Sequence, residues 1–370
     1  MNTQNLKPNI VFSPGEILLD ELEERNISQS DFAEILNRPL KTVNEIIKGK
    51  KSITPETAND IAAALGTSPE LWLGLQADYD LFKISHSKKG DNDDVKNRAE
   101  LYANFPIKEL KKRKYISDQK DITETRKEIF TLFSLSEISQ WRSKCLVNFR
   151  KSDCGEININ YVNTWIELGK VIAKKARMFK FDKQGLTDFA GKIKNFSKED
   201  GGEEKIVETL SSLGVKLIFL PHFSKTRVDG ATFWMDKNPV ILMSLRYDRI
   251  DNFYFTLLHE IGHVILHGED KENNFYDDTT TIGDSTDRRE IEANKFAQNE
   301  LTPQEIVKSL ERMRTGSVPP SIIVGKSKEA NIHPGILVGV LQHNKLLSYG
   351  QYRSALVKIK DKIPAGLIQK

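Results

Sequence analysis

The segment TLLHEIGHVILHG, from Thr256 to Gly268, sets the strictest condition on the fold, because it places two histidines and a glutamate in a run that is otherwise nearly all apolar. Phe253, Phe255, Leu257, Leu258, Ile261, Val264 and Ile265 make a helix through this stretch apolar on most sides, so burial is expected. Imidazoles and carboxylates buried without partners cost free energy. Residues four apart share one helical face, about 6 Å apart along the axis. His259 and His263 can therefore direct ring nitrogens to one point, where a divalent cation would satisfy both. The bland alternative is a pair of core histidines bonded to the backbone, with Glu260 in an ion pair.

The spacing is H-E-x-x-H, a signature of zinc-dependent peptidases. With Zn–N near ~2.1 Å, His259 and His263 hold an ion at the helix surface. Glu260, rotated by about 100° from His259, reaches a water activated there. A catalytic site needs a third protein ligand and one open position. His267 lies about 12 Å from His259 along a continuing helix, out of reach of a shared ion. The next predicted helix, RREIEANKFAQNEL, offers Glu290 and Glu292. Relative to Ala293, Phe296 and Ala297, both lie on the flank of the apolar stripe, so helical phase leaves the choice open. Upstream, GVKLIFL, GATFWMD and PVILMSL are β-rich runs separated by turn residues, which predicts a small sheet. PVILMSL, Pro239 to Leu245, is the expected edge strand for pairing with an extended peptide. Tyr247, Tyr254 and His333 are candidate oxyanion donors.

At 370 residues the chain exceeds what one core usually serves, so two or three domains are expected. With 38% apolar and 29% charged residues, and no apolar run near the ~20 residues of a membrane span, it reads as a soluble protein. The N-terminus lacks the basic-then-apolar pattern of a secretory signal. Two cysteines, Cys145 and Cys154, make neither a disulfide framework nor a cysteine zinc site, so a cytoplasmic location is the simplest. The expected class is α+β. It comprises an all-α bundle over 1–84, a polar linker over 85–97, a helical scaffold over 98–200, and a zincin-like region with a small sheet and C-terminal helices over 201–370.

The first 84 residues carry short helices, each opened by a capping signal: Ser13-Pro14, Ser28, Thr54-Pro55 and Ser68-Pro69. SQSDFAEILN and PLKTVNEIIKGK form a helix-turn-helix pair, packed through Phe32, Ala33, Ile35 and Leu36 on the first and Val43, Ile46 and Ile47 on the second. Lys41, Thr42, Asn44, Glu45 and Lys48 face outward. Asn44 can bond adenine and Thr42 can touch a thymine methyl, while Lys41, Lys48, Lys50 and Lys51 neutralise phosphates. Gln29 and Arg38, at the helix ends, suit clamping of the DNA backbone. A net charge of +3 is too small to argue for nucleic acid alone, so the claim rests on this local pattern. The competing reading is an interaction module with solvated lysines.

The stretch Gly15 to Leu81 resembles the HigA-type antitoxins within the Xre/Cro helix-turn-helix regulators. The resemblance implies a homodimer on a palindromic double-stranded operator, and a toxin as a further partner. It departs at Asn37, where a glycine is usual; asparagine tolerates the left-handed conformation. The segment from Gly214 to Pro303 resembles the ImmA/IrrE-type metallopeptidases, which implies a zinc ion completed by a downstream glutamate. That glutamate maps to Glu292 of EAN, with Glu290 in reserve. Weaker likeness extends through FPIKELKKRKYI and NIHPGILVGVLQHNKLL to proteins joining such a regulator to such a peptidase, with Val340 where an arginine often precedes LQ. The implied activity is zinc-dependent cleavage of a repressor or antitoxin, this chain or a partner, which relieves repression. The alternatives are a non-catalytic antitoxin whose C-terminal region is a sensor or toxin-binding surface, and a peptidase using the bundle only to dimerise.

Overall fold

The computed structural model describes residues 11–86, 93–144, 158–175, 178–268, 288–311 and 318–369. They divide into two compact units, Met1–Lys96 and Asn97–Lys370. Most of the expected linker interior, Cys145, Cys154 and the polar loop 269–287 lie outside the described residues.

The first unit is built from α1 (Pro14–Glu24), α2 (Gln29–Ile35), α3 (Leu40–Ile47), α4 (Pro55–Leu65) and α5 (Pro69–His86). Helix starts are fixed where hydroxyls meet orphan backbone N–H groups. Ser13 Oγ accepts from Glu16 N, and the Glu16 carboxylate accepts in return from Ser13 N at 2.7 Å, a reciprocal cap. Ser28 and Thr54 cap α2 and α4 in the same way through one bond each. Leu18, Leu22, Phe32, Val43, Ile46, Ile61 and Trp72 form the core. A Cβ on Gly15 would come within 2.3 Å of the Ile46 carbonyl oxygen, so glycine lets α1 close onto the end of α3. The α2–α3 turn passes through Asn37 at φ 50°, the left-handed conformation that asparagine tolerates. Ile35, expected in the core, is 56% exposed.

Among the described residues the second unit is mostly helical around one three-stranded sheet in the order β1-β3-β2. Strand β1 (Lys216–Phe219) runs parallel to β3 (Asn238–Met243), and β2 (Gly230–Met235) runs antiparallel to β3. Preceding the sheet are α6 (Asp93–Asn104), α7 (Ile107–Lys112), α8 (Ile122–Phe133), α9 (Ile138–Lys144), α10 (Ile159–Ala173), α11 (Lys183–Ile193) and α12 (Gly202–Ser212). Helices α5 and α6 take up both ends of the segment expected to be a linker, and the division between units falls within α6.

Side chains alternate across a strand, and the two faces of the sheet enter different cores. Ile218, Ala231, Phe233, Val240 and Leu242 pack with Trp141, Trp165 and Leu168 of the earlier helices. Leu217, Phe219, Ile241 and Met243 pack with α11, α12 and α13 (Ile250–His267). The expected division at residue 200 is therefore crossed by a shared core, because α10 covers one face of the sheet; Gly169 of α10 lies so close to Leu242 that a Cβ would meet its methyl at 2.2 Å. Beyond α13 follow α14 (Arg288–Leu301), α15 (Gln304–Glu311), α16 (Pro320–Glu329) and α17 (Pro334–His343). No helix among the described residues is long and apolar enough to cross a membrane.

One polar contact in this core has a measurable consequence. Glu203 is 1% exposed, and its Oε1 accepts from the Tyr254 hydroxyl at 3.1 Å. Burial raises the carboxyl pKa, so the folded state holds this proton more tightly than the unfolded chain does. Stability from this group is present below the ordinary carboxylate pKa and is lost as pH rises through the raised value. Glu203→Gln is expected to remove that slope and to stabilise the protein at neutral pH by about 1 kcal/mol. Urea melts at pH 5 and pH 8 check both.

Candidate metal centre and nucleic-acid interface

Helix α13 carries His259, Glu260 and His263, all at or below 3% exposure. The two histidine Nε2 atoms lie 3.0 Å apart. Helix α14 packs along α13, and Gly262 makes the approach close: a Cβ there would be 3.1 Å from the Phe296 ring and 3.4 Å from Ala293 Cα. This brings Glu290 onto the histidines, with Oε2 3.5 Å from His259 Nε2 and Oε1 3.5 Å from His263 Nε2. One donor atom from each of the three residues lies within 4.8 Å of the others. A tetrahedral ion with bonds of ~2.1 Å has ligand atoms ~3.4 Å apart, so the donor set fits zinc in spacing and in chemistry.

The sequence points to Glu292 with Glu290 in reserve; the structure brings Glu290, not Glu292, against the two histidines. The Glu292 carboxylate accepts from Arg288 Nε at 2.7 Å and lies 3.7 Å from His267 Nε2. The Arg288 hydrogen bond, reinforced by its charge and that of His267, holds the Glu292 pKa below the ordinary value. Positions two apart on a helix point about 200° apart, so only one of the two glutamates can face the His259–His263 pair; Glu292 meets α13 at its last residue instead.

Glu260 reaches the sheet. Its Oε2 accepts from Thr232 Oγ1 at 2.6 Å, and a Cβ on Gly230 would sit 2.2 Å from its Oε1. Both residues belong to β2. The expected edge strand, β3, is the central strand; its backbone pairs on both sides, and β2 is the edge beside Glu260. Two oxyanion candidates are otherwise engaged. The Tyr254 hydroxyl donates to Glu203 and is raised in pKa chiefly by burial. His333 caps α17, its Nδ1 accepting from Gly335 N at 3.0 Å. Tyr247 is 45% exposed and lines a cavity together with Phe255 and His343.

In the N-terminal unit, α3 buries Val43, Ile46 and Ile47. Lys41 and Lys48 are exposed, and Gln29, Thr42 and Asn44 are half-exposed. Lys41 lies 3.9 Å from Glu45, a solvent-screened pair worth little. Arg38 is placed differently from the expectation. Its Nε and Nη2 donate to Asp60 Oδ2 at 3.1 and 2.7 Å, and Nη2 lies 3.3 Å from Glu56. Arg38 therefore ties the α2–α3 turn to α4, and the Asp60 hydrogen bond raises its pKa.

Comparison with known proteins matches two segments of the chain. Residues 18–72 match a helix-turn-helix domain, and residues 210–318 match the IrrE N-terminal-like domain. The uncharacterized HTH-type transcriptional regulator of Haemophilus influenzae is 40% identical over 78 residues, 21% of this chain and 73% of that protein. The chain belongs to the helix-turn-helix transcriptional regulators. Antitoxin HigA-1 of Vibrio cholerae is 35% identical over 94 residues, covering 25% of this chain and 78% of that one. The structure of an addiction module antidote protein of a HigA family from Coxiella burnetii shares 40% identity, covering 22% of this chain and 88% of that chain, with a TM-score of 0.21.

This regulator thus carries an Xre-type DNA-binding domain with HigA-like relatives at its N-terminus and a metallopeptidase-like domain of the IrrE/ImmA type over 210–318. Sequence reasoning missed Gly230 and Thr232. The signal was in GATFWMD, where Gly230 and Thr232 share a strand face that a buried apolar strand would fill with larger side chains.

Proposed function

We propose that this regulator binds an operator through α3 and cuts a peptide bond in a repressor or antitoxin, its own chain or a partner, so that proteolysis relieves repression. The cutting site is zincin-like, with His259, His263 and Glu290 as zinc ligands and Glu260 as the base. The observation that carries the reading is the meeting of two buried imidazoles and a carboxylate beside a buried Glu260 held by the edge strand. Zinc bound there supplies a Lewis acid for a peptide carbonyl and for water. Glu260 takes the proton of the attacking water and returns it to the leaving nitrogen. Thr232, donating to Oε2, keeps that carboxylate aimed. The outer edge of β2 supplies main-chain partners for an extended substrate. Full-length protein loaded with zinc and incubated with repressors encoded beside it should give a discrete pair of fragments, and chelation should stop this. Intact repressors under every inducing condition would refute the peptidase half.

For the DNA half, Lys48→Ala is expected to weaken binding to all sequences alike and to reduce the salt slope by about 0.9. Asn44→Ala should cost about 1–3 kcal/mol on the operator alone. Footprints at several salt concentrations separate the two effects. We place the protein in the cytoplasm, as a homodimer on a palindromic operator. The antitoxin relative supports a second reading, a non-catalytic antitoxin that holds a toxin through its C-terminal region. That reading predicts a closed metal site and no fragments.

A further inference from the structure

Helices α13 and α14 hold the metal-capable donors at one end and a cavity of about 530 Å³ at the other. Asn252 and Phe255 line it from the face of α13 that carries His259; Gln298 and Leu301 line it from α14, whose first turn carries Glu290. The Phe255 ring centroid lies 6.1 Å from that of His259 and 6.5 Å from that of His343, so the cavity begins beside the first donor. Its far wall is α17, with Val340, His343 and Asn344 at its end, outside residues 210–318 of the IrrE-like match.

The lining chemistry selects an occupant. Arg249 and Asp251 are committed to each other at 3.0 and 2.7 Å, and Glu311, His343 and the two phenols Tyr247 and Tyr349 are the other ionisable side chains of the lining. The rest of the lining includes the apolar surface of Phe255, Leu301 and Val340 beside the amides of Asn252, Gln298 and Asn344. Amide side chains offer both donors and acceptors, the complement of a peptide group. The volume lies within the roughly 300–1,000 Å³ of ligand pockets, enough for a large side chain with its flanking main chain. Resting on the peptide-cleaving reading above, we propose that this cavity is the specificity pocket: it takes a large uncharged apolar side chain, aromatic for preference, next to the bond cut, and α17 sets that preference.

The probe is N-acetylphenylalaninamide, titrated calorimetrically into zinc-loaded full-length protein against N-acetylglycinamide. The aromatic amide should bind at least about tenfold more tightly, and Val340→Trp should remove the difference, with Val340→Phe intermediate. In peptides differing only in Phe or Ala beside the cut, the ratio of kcat/KM values should fall at least about tenfold in Val340→Trp. Zinc content and the operator footprint check that each variant is folded. Equal binding of the two amides, or an unchanged ratio in both variants, would overturn the pocket. Selective binding with no cleavage of any peptide would instead overturn the peptidase reading, and with it the pocket's part in substrate choice.

Discussion

Glu260→Gln is expected to lower the rate of repressor cleavage by about 10²–10⁴-fold, the range that a positioned general base contributes. The substitution keeps the side-chain volume, which matters because Glu260 is fully buried against Gly230. A carboxamide can still accept from Thr232 Oγ1 through its oxygen. What it loses is the basic lone pair that takes a proton from water. Zinc binding should survive, because His259, His263 and Glu290 are untouched, and so should operator binding. Single-turnover cleavage of a repressor beside a zinc titration reads both. Turnover within tenfold of wild type with zinc bound would remove Glu260 from the chemistry and leave it a structural carboxylate.

The amino-acid sequence made the ends of the elements legible wherever local chemistry decides them. Ser13, Ser28 and Thr54 cap their helices because the hydroxyl and its N–H partner lie within three residues of each other. His259 and His263 share a face because four residues of helix put them there. Choices fixed by partners far along the chain were hidden. Arg38 reads as a phosphate clamp until Asp60, 22 residues on, is seen to take it. The order of the strands was likewise hidden, although β3 carried a usable sign. Val240, Ile241, Leu242 and Met243 are buried without alternation, the pattern of a strand covered on both faces, which fits a centre better than an edge.

The third ligand gives the sharpest expected contrast between neighbouring residues. Ala293, Ala297 and Leu301 are the buried positions of α14, and Glu290 continues their spacing of three and four toward the helix start. Phe296 is only half-buried, and weighing it equally with the alanines moves the apparent stripe round far enough to admit Glu292. Glu290→Ala should weaken zinc binding by at least about 100-fold, since outer partners of metal ligands alone are worth roughly 10–100-fold. Glu292→Ala should change it by less than about threefold, because that carboxylate meets Arg288 and His267 near the surface. The two variants remove the same group two residues apart, so a general effect of charge or helix stability would move both alike. Competition with a chromophoric chelator gives the affinities. Thermal melts supply an independent reading, because an ion that binds only the folded state raises stability by about 2.7 kcal/mol at 100 times its Kd. Added zinc should therefore raise the Tm of wild type and Glu292→Ala and leave Glu290→Ala unmoved. The reverse pattern would restore Glu292 as the ligand and require α14 to turn by about half a revolution from the position described.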